Sequence, residues 1–440
     1  MDASLLARYD RPVPRYTSYP TAPHFHAGVD AARYARWLGA LPAEVPLSLY
    51  LHIPFCDTLC WFCGCNMRVV REHGPVAAYL DLLEREIDLV AERLPGRFAL
   101  SGLHFGGGSP SLLRPAEIGR LMAAVWRRFD RAEGAEIAVE IDPRDLEAEV
   151  VEAFAAGGVT RASIGVQDFD PRVQKAVNRI QSFDCTRAAV EALRAAGIGS
   201  VNIDLLYGLP YQDAASVVET LGQALTLGPD RVALFGYAHV PWMKKHQRLL
   251  PEAALPDGPS RWDQAEAAAA RLVAAGYRRI GLDHFARPED PLAVAQAEGR
   301  LRRNFQGYTT DEAAVLLGLG ASSIGSLPQG YVQNTADLPS YRRAVLADRL
   351  PVARGVELSE DDRTRRALIE RLMCDFAVEL DPAAYAAELA SLEGHAADGL
   401  VELAGGRLAV TERGRPLVRS VAAAFDRYLA PAEGRHSRAV

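Results

Sequence analysis

The sequence has few cysteines, no long apolar run and no excess of positive charge. Only 6 of its 440 residues are cysteine, which excludes a disulfide-rich scaffold. Its longest uncharged apolar runs, such as residues 313–321, are far shorter than the roughly 20 residues that span a bilayer. A net charge of -7 argues against non-specific binding to nucleic acid. We therefore predict a globular protein with neither a membrane nor a nucleic-acid partner.

The first 20 residues, "MDASLLARYDRPVPRYTSYP", also lack a basic region followed by an apolar one, as an export signal would have. A cytoplasmic protein is the expectation, and we expect a monomer. Four of the six cysteines fall between positions 56 and 65, in "FCDTLCWFCGCN". In a reducing cytosol such clustered thiols favour metal or redox chemistry. The other two, Cys185 and Cys374, are predicted to be buried as small hydrophobic residues.

From about residue 47, short apolar runs alternate with segments that have 3.6-residue apolar spacing, such as residues 76–94 and 115–129. Six such strand-then-helix units imply parallel strands, in a barrel or in an open doubly wound sheet. Six units, rather than eight, favour an incomplete (β/α)6 TIM-like parallel barrel with a lateral opening. The predicted strands are 47–53, 100–105, 136–141, 161–166, 201–206 and 231–237.

We predict three regions along this α/β chain. A proline-rich N-terminal strap covers residues 1–45, the barrel covers 46–310, and a mainly helical domain covers 311–440. Within the last region, a hairpin turning at Gly405–Gly406 lies between helical patterns, an order typical of winged-helix units. Because its charges are mixed and it has no interleaved aromatics, we favour a packing or substrate-covering role over DNA binding.

Polar and glycine residues follow each predicted strand. Ligands bind at the carboxyl edge of parallel strands, so these residues are expected to converge on one face. Each one alone has an ordinary explanation in turns and helix caps. The residues after strands two to six are Gly106 to Pro110, Glu140 and Asp142, Gln167 and Asp168, Asp204 and Tyr207, and Tyr237 to His239.

The cysteine loop follows strand one. A structural zinc site usually takes two Cys-x-x-Cys pairs a dozen or more residues apart, and no second pair is present. The spacing of Cys56, Cys60 and Cys63 favours three corners of a [4Fe–4S] cluster with one iron left open. Cys65 stands only two residues beyond Cys63 and is less suited to the fourth corner. Four-cysteine ligation and zinc remain the alternatives.

Three thiols at this edge, followed by a glycine-rich turn after strand two, resemble the radical S-adenosylmethionine superfamily. The resemblance implies that the open iron holds S-adenosylmethionine and that reductive cleavage yields a 5′-deoxyadenosyl radical. Further segments narrow it to the family of oxygen-independent coproporphyrinogen III oxidases. These are "RYDRPVPRYTSYPTAPHF", "LYLHIPFCDTLCWFCGCN", "FGGGSP", "SIGVQDFDPRVQKAVNRIQ", "NIDLLYGLP" and "DHFARPEDPLAVAQAEGRLRRNFQGYTT".

That family resemblance implies decarboxylation of two propionates of coproporphyrinogen III to vinyl groups, giving protoporphyrinogen IX in haem biosynthesis. It also implies two S-adenosylmethionine molecules, an electron donor and an electron acceptor, neither of which the sequence identifies. Carried over by resemblance, the first cofactor molecule meets Tyr50, Gly107, Glu140, Ala238 and Ile324. The second meets Phe62, Gly108, Ser109, Gln167, Arg179 and Asp204. The implied catalytic residues are Tyr50, Glu140, Asp204 and Gln306.

Two positions depart from the family pattern: Ser109 replaces the usual threonine, and Gly236 replaces a common asparagine. An alternative for Arg179 is a surface ion pair with Asp184. The substrate's four propionates require local cations, for which the candidates are Arg11, Arg15, Lys244, Lys245, Arg300, Arg302 and Arg303. Solvent exposure is the alternative for the last three.

Two rival functions come from other classes. A related haem chaperone keeps the three-cysteine motif, but usually lacks the Cys63-Gly64-Cys65 ending and the "PRYTSYP" leader found here. A purely structural iron–sulfur or zinc module leaves the strand-end residues unexplained. Both comparisons favour the oxidase.

Overall fold

The structure of the protein is a computed structural model, which describes residue 5 and residues 8–429. The strands are β1 Leu47–Ile53, β2 Phe55–Cys56, β3 Arg68–Val69, β4 Ala99–Gly107, β5 Asp130–Ile141, β6 Arg161–Gln167, β7 Ser200–Tyr207, β8 Arg231–Gly236, β9 Arg278–Ile280, β10 His284–Ala286, β11 Arg302–Asn304, β12 Gly307–Thr309, β13 Val315–Leu319, β14 Ile324–Leu327, β15 Gly330–Asn334, β16 Val352–Glu357, β17 Ala377–Glu379, β18 Val401–Ala404 and β19 Arg407–Val410.

The helices alternate with the central strands and then dominate the carboxyl-terminal region. They are α1 Ala31–Gly39, α2 Gly74–Ala91, α3 Pro115–Arg128, α4 Ala148–Ala156, α5 Pro171–Ala176, α6 Phe183–Ala195, α7 Ala214–Thr226, α8 Gly258–Ala274, α9 Pro291–Ala297, α10 Leu338–Leu346, α11 Glu360–Asp375, α12 Ala386–Ser391, α13 Glu393–Ala397 and α14 Val418–Ala422. In the described part of the chain, none of them is long and apolar enough to cross a bilayer.

All six predicted strands are present and pair in parallel in the order β1-β4-β5-β6-β7-β8. At the two ends of this set, β1 pairs with β13 and β8 pairs with β10. The six parallel strands therefore form an open, incomplete barrel. Strand β1 is buried along nearly its whole length, as expected of a parallel strand covered on both faces. Helices α2 and α3 match the predicted segments 76–94 and 115–129.

The sheet also contains a parallel strand that the sequence pattern does not predict. Strand β13 pairs with β1 in parallel, and the antiparallel strands β14, β15 and β16 extend the sheet beyond it. All five residues of β13 are buried, so the run lacks the alternation that marks a strand in sequence. The division of the chain at residues 45/46 and 310/311 stays a prediction.

Helix α11 and strands β17 to β19 contribute apolar side chains to a separate hydrophobic cluster in the carboxyl-terminal region. The predicted hairpin is confirmed, because Ala404 pairs with Arg407 across Gly405–Gly406. The predicted N-terminal strap contacts this region, because Tyr16 and Tyr19 pack in the same cluster. The strap therefore packs against a part of the chain that is distant from it in sequence.

The two isolated cysteines differ in burial. Cys374 is fully buried, as predicted. Cys185 is only half-buried, and its thiol donates a hydrogen bond to the Pro143 carbonyl at 3.0 Å. The prediction of a simple buried residue is therefore wrong for Cys185, since a position on the first turn of α6 leaves one side open.

Candidate active site

A cavity of about 180 Å³ lies at the carboxyl ends of strands β4 to β7, beside the cysteine loop of residues 56–65. The strand-end residues converge there from the first five predicted strands. The predicted site residues that line it are Cys56, Cys60, Phe62, Cys63, Gly107, Gly108, Ser109, Glu140, Gln167, Arg179 and Asp204.

Four predicted site residues lie outside this lining. The Tyr50 hydroxyl contacts His52 Nδ1 at 3.0 Å. Ala238 lines a separate cavity of about 620 Å³, and Gln306 lines the barrel lumen, where its buried amide nitrogen has no hydrogen-bond partner among the described residues. Ile324 begins β14 and packs beside a cluster of Phe25, Tyr331, Val356 and Leu358. Most of the predicted site residues therefore line the cavity of about 180 Å³.

The cysteine loop is fixed on one side by the turn that follows helix α5. The backbone N–H of Trp61 donates to the Val177 carbonyl at 2.9 Å, and the Asn178 amide donates to the Leu59 carbonyl at 2.8 Å. Asn178 has a φ of 54°, a left-handed conformation that asparagine tolerates better than most residues. These bonds hold the backbone between Cys56 and Cys63.

The glycine-rich turn after β4 needs two of its glycines for different reasons. Gly107 has a φ of 114°, and an added Cβ would lie 2.6 Å from the His52 ring. At Gly108 a Cβ would lie 2.4 Å from the Phe55 carbonyl oxygen. The missing side chains thus let the turn approach the strand that leads into the cysteine loop.

Ser109, which follows β4, and Gln167, which ends β6, line the same cavity from either side of β5. The buried Ser109 hydroxyl donates to the Cys56 sulfur at 3.6 Å. Gln167 ends β6 with a φ of 72°, which is uncommon for a residue other than glycine. Such conformations cost free energy and concentrate at functional sites.

Two arginines surround Asp142 and face the Cys60 sulfur. Arg179 approaches that sulfur at 3.5 Å and Asp142 at 3.2 Å, and it donates to the Gly165 carbonyl at 2.6 Å. Arg144 lies 3.8 Å from the same sulfur and 2.6 Å from Asp142. Burial opposes ionisation of Asp142, but the hydrogen bond from Arg144 and the charge of Arg179 hold its pKa below the ordinary value. Positive charge and N–H donors therefore face one predicted ligand.

The alternative ion pair for Arg179 is wrong, because Asp184 pairs with Arg187 at 3.0 Å instead. Arg179 itself is only 6% exposed, and its Nε atom has no hydrogen-bond partner in the part of the chain described. A buried donor that lines a cavity and has no hydrogen-bond partner is unusual in a folded protein. It supports a binding role for Arg179.

Glu140 is held by the glycine turn. Its carboxylate accepts hydrogen bonds from the Gly107 backbone N–H at 3.0 Å and from His104 Nε2 at 3.2 Å. Burial opposes ionisation, but the His104 hydrogen bond leads the interactions that lower the pKa of Glu140. Glu140 is thus ionised and oriented toward the cavity.

Asp204 has neutral partners instead. It accepts from the Ser163 hydroxyl at 3.0 Å and from the Asn202 amide at 2.7 Å. Burial, followed by the nearby charge of Glu140, raises its pKa above the ordinary value. A buried carboxylate without a cationic partner is electrostatically disfavoured, so a cation or further donor placed beside it would be stabilised.

The three predicted cysteine ligands do not surround one point. Among the described residues, no group of three or more His, Cys, Asp or Glu side chains is arranged to hold a single metal ion. A cubane cluster needs its thiolates at separate corners. Thiolates are the ligands that iron–sulfur clusters take, so the residue types of the loop fit such a cluster, and its ligation stays a prediction.

The sequence and the fold match known proteins over their full length. The Radical SAM superfamily matches residues 50–223, and the HemN C-terminal domain matches residues 358–417. An oxygen-independent coproporphyrinogen III oxidase from Bradyrhizobium diazoefficiens is 54% identical over 450 residues, covering 100% of both chains. The chain belongs to the oxygen-independent coproporphyrinogen III oxidases.

Two further members of the family support this membership. The Salmonella typhimurium enzyme of the same name is 42% identical over 97% of this chain and 95% of its own. The structure described as coproporphyrinogen III oxidase (HemN) from Escherichia coli, a radical SAM enzyme, aligns with a TM-score of 0.91 and 40% identity. It covers 97% of this chain and 99% of that one. The predicted family and fold class are confirmed, while the individual site residues stay predictions.

Several residues around this oxidase site escaped the sequence analysis. Arg144 lies two residues after Asp142. The one sequence feature that could have indicated its role is its position close to a strand end. Ser163 and Asn202 sit at internal strand positions, where polar residues in a buried strand are the available signal. Contacts across the barrel decide their roles, and spacing along one strand does not reveal such contacts.

The candidate cations for the substrate differ in their surroundings. Arg300 is exposed and pairs with Glu298 and Glu312, as expected of a solvated surface. Arg15 donates to the Gly236 carbonyl at 3.0 Å, at the carboxyl end of β8, and Arg303 donates to the Arg15 carbonyl at 3.2 Å. Arg15 therefore lines the larger cavity, and Arg303 contacts its backbone.

Proposed function

We infer that this chain catalyses the oxygen-independent oxidative decarboxylation of coproporphyrinogen III to protoporphyrinogen IX by a radical mechanism. The observation that carries this inference is that the four loop thiols, among them the three proposed ligands, line one cavity with residues from the ends of four further strands, in a chain that matches the family from end to end. The alternative, haem chaperoning, has no comparable support among the relatives described above.

We assign Cys56, Cys60 and Cys63 as the ligands of a [4Fe–4S] cluster with one open iron. When bound, the cluster and S-adenosylmethionine supply a 5′-deoxyadenosyl radical that removes a hydrogen atom from the propionate β-carbon. The N–H groups of Arg179 and Arg144 face the Cys60 sulfur, where they would stabilise negative charge. Cys65 is more exposed than the other three, which supports its exclusion from the ligand set.

Two S-adenosylmethionine molecules are proposed, with the residue assignments given above. All six residues assigned to the second molecule line the cavity of about 180 Å³, which supports their acting together. Arg179 would donate to the cofactor carboxylate and Asp204 would accept from a hydroxyl or face the sulfonium. In the first set only Gly107 and Glu140 line that cavity, so a first molecule would extend toward Tyr50, Ala238 and Ile324.

We propose that Arg15 and Arg303 bind substrate carboxylates. Arg303 is 9% exposed, and its Nη1 atom has no hydrogen-bond partner within the described chain. The adjoining cavity of about 620 Å³ has a volume in the range of roughly 300–1,000 Å³ typical of small-molecule sites. Gln306 would add a free amide donor from the barrel lumen. A monomer in the cytoplasm, with no membrane or nucleic-acid partner, completes the proposal.

The decisive experiment is anaerobic incubation of the reconstituted protein with S-adenosylmethionine, a reductant and coproporphyrinogen III, followed by porphyrin analysis. We expect protoporphyrinogen IX together with two molecules of 5′-deoxyadenosine and two of carbon dioxide per product molecule. Substrate deuterated at the β-carbons should transfer its label to the nucleoside. Stoichiometric sub-micromolar haem binding with no decarboxylation would instead support a chaperone.

A further inference from the structure

A second segment holds the cysteine loop from the side opposite helix α5. Three side chains of residues 240–250 donate to backbone carbonyls of the loop: Lys244 Nζ to Cys65 at 2.9 Å, His246 Nε2 to Cys63 at 2.8 Å, and Gln247 Nε2 to Phe62 at 3.0 Å. Residues 240–250 are thus in direct contact with the backbone that carries the proposed cluster ligands.

The same segment exposes large apolar side chains to solvent. Met243 is 64% exposed and Leu249 is 56% exposed, while Lys245 and Arg248 beside them are exposed cations. Most exposed apolar residues in proteins are scattered singly, whereas these fall within seven residues of one short segment. Apolar groups mixed with cations are typical of a surface that binds another molecule.

The other flank of the cysteine loop has the same character. Strand β3 pairs with β2, which contains Cys56, and the Val70 N–H donates to the Cys56 carbonyl at 2.9 Å. Arg68 and Arg71 are exposed there, and Val69 is 38% exposed. We call residues 68–71 and 243–249 together the loop rim.

The loop rim is basic on an acidic protein. Residues 56–72 and 240–250 contain five Lys or Arg and two Asp or Glu, whereas the whole chain has a net charge of -7. Within the described chain, Arg68, Arg71, Lys245 and Arg248 form no ion pair with a carboxylate. A local charge of opposite sign to the whole protein steers an oppositely charged partner to that surface.

We propose that the loop rim is the docking surface for a small acidic protein that carries single electrons. The inference rests on the proposed function, because the radical reaction needs one electron delivered to the cluster for each S-adenosylmethionine cleaved. One electron passes from the reduced carrier to the cluster, the carrier is oxidised by one electron, and no atom is transferred. Electron-transfer encounters use small, transient interfaces, which a rim of this extent can provide.

The test compares two reductants on the reconstituted protein. One is a reduced, acidic plant-type [2Fe–2S] ferredoxin, and the other is photoreduced 5-deazariboflavin, which is small and uncharged. Stopped-flow absorbance follows reduction of the cluster. For Arg71→Glu/Arg248→Glu we expect the bimolecular rate with ferredoxin to fall at least tenfold at low salt, and the difference to shrink as salt is added. The rate with deazariboflavin should not change.

The control is Arg342→Glu, a single charge reversal of an exposed arginine on helix α10, a helix that contacts α2. It should leave both rates at the wild-type value. Arg71→Gln/Arg248→Gln, a milder change, should give an intermediate loss of the reduction rate with ferredoxin. Met243→Gln/Leu249→Gln should weaken ferredoxin binding, measured by calorimetry, without changing the salt dependence of that binding. Iron content and circular dichroism verify each variant.

Two results would overturn the proposal. The first is an equal ferredoxin rate in the wild type, Arg71→Glu/Arg248→Glu and Arg342→Glu. The second is an Arg71→Glu/Arg248→Glu protein whose cluster is reduced by ferredoxin at the wild-type rate but which has lost decarboxylation. The loop rim would then bind the substrate. If the wild type is reduced but forms no protoporphyrinogen IX with either reductant, the proposed function fails, while the comparison of reduction rates still decides the docking surface.

Discussion

Glu136 and Asp204 are two partly buried carboxylates of the same barrel lumen, yet their surroundings affect them in opposite ways. Glu136 lies 2.9 Å from Arg161 and 3.8 Å from Arg231, and Arg231 in turn pairs with Asp290 at 2.8 Å. Burial opposes ionisation of Glu136, but the two arginines lower its pKa to about 2. Asp204 has only neutral hydrogen-bond partners, and its pKa is raised.

The difference distinguishes a charge that the protein compensates from one that we propose a cofactor compensates. At the amino end of the lumen, ion pairs with Arg161 and Arg231 compensate Glu136 and stabilise the barrel. At the carboxyl end, among the described residues, Asp204 forms no ion pair and one N–H of Arg179 has no hydrogen-bond partner. A charged cofactor bound at the carboxyl end could supply both the missing charge and the missing hydrogen-bond partner. The following changes test this comparison, beginning with the largest effect.

Replacing a thiol at the carboxyl end should have the largest effect. Cys56→Ser, Cys60→Ser and Cys63→Ser are each expected to lose the cluster and all decarboxylation, because a cluster with an open iron has no spare protein ligand. Cys65→Ser should retain iron and sulfide near the wild-type level, with its defect in turnover. Iron and sulfide counts after anaerobic reconstitution measure this, and a Cys65→Ser protein without cluster would indicate four-cysteine ligation.

Matched amide substitutions test the two carboxylates directly. Asp204→Asn should lower turnover by about 100-fold, corresponding to about 3 kcal/mol of lost transition-state binding, while cluster content and thermal stability are retained. Glu136→Gln should instead destabilise the fold by about 1–3 kcal/mol, because it removes the carboxylate that pairs with Arg161 while Arg231 keeps Asp290, with near-normal turnover per folded molecule. Normal product yield from Asp204→Asn would remove this residue from the site.

Sequence patterns predicted the parts of this molecule that local chemistry decides. The six parallel strands follow from apolar runs, and the cysteine loop and the Gly107 turn follow from spacing and from residue types with few other uses. The sequence could not predict that Lys244, His246 and Gln247 bind the cysteine loop, about 180 residues away. No local pattern marks a polar side chain whose partner is a distant backbone carbonyl.

Strand β13 shows the same limit at the level of the fold. Its residues are uniformly buried, so their sequence is equally compatible with a buried helix. Its place beside β1 depends on parallel pairing between residues about 270 positions apart. Glu140 and Asp204 were both predicted from strand-end positions, but their opposite pKa shifts depend on surroundings that only the folded barrel provides. The hydrogen bond from His104 leads the interactions that lower the pKa of Glu140, whereas burial and the charge of Glu140 raise the pKa of Asp204.

Glu86, a carboxylate outside both ends of the lumen, extends the comparison to pH. It is 1% exposed and accepts hydrogen bonds from the Tyr341 hydroxyl at 2.5 Å, the Gly320 N–H at 2.7 Å and the Asn334 amide at 2.6 Å. Burial raises its pKa to about 7, although these hydrogen bonds oppose the shift. The folded state therefore binds this proton more tightly than the unfolded state does.

The resulting stability is complete below pH ~4.5, the ordinary glutamate value, and is lost as the pH rises through about 7. Glu86→Gln removes this titration while weakening the hydrogen bonds at every pH. The stability of the wild type relative to Glu86→Gln should therefore fall by up to about 3 kcal/mol between pH 5 and pH 8. Urea unfolding at the two pH values measures it, and a constant difference would contradict a raised pKa.

The smallest effect is expected at Gly236, where the family often has asparagine. A Cβ at this position would lie 2.8 Å from the Tyr207 hydroxyl oxygen and 3.2 Å from an Arg261 nitrogen, so the tyrosine must move to admit a side chain. Gly236→Asn should cost about 1–2 kcal/mol of stability through this overpacking. In Tyr207→Ala the space is open, so the asparagine should be tolerated better there. A double-mutant cycle of thermal unfolding should give a coupling of about 1 kcal/mol between positions 207 and 236. Additive effects would show that the tyrosine does not fill the space of the missing side chain.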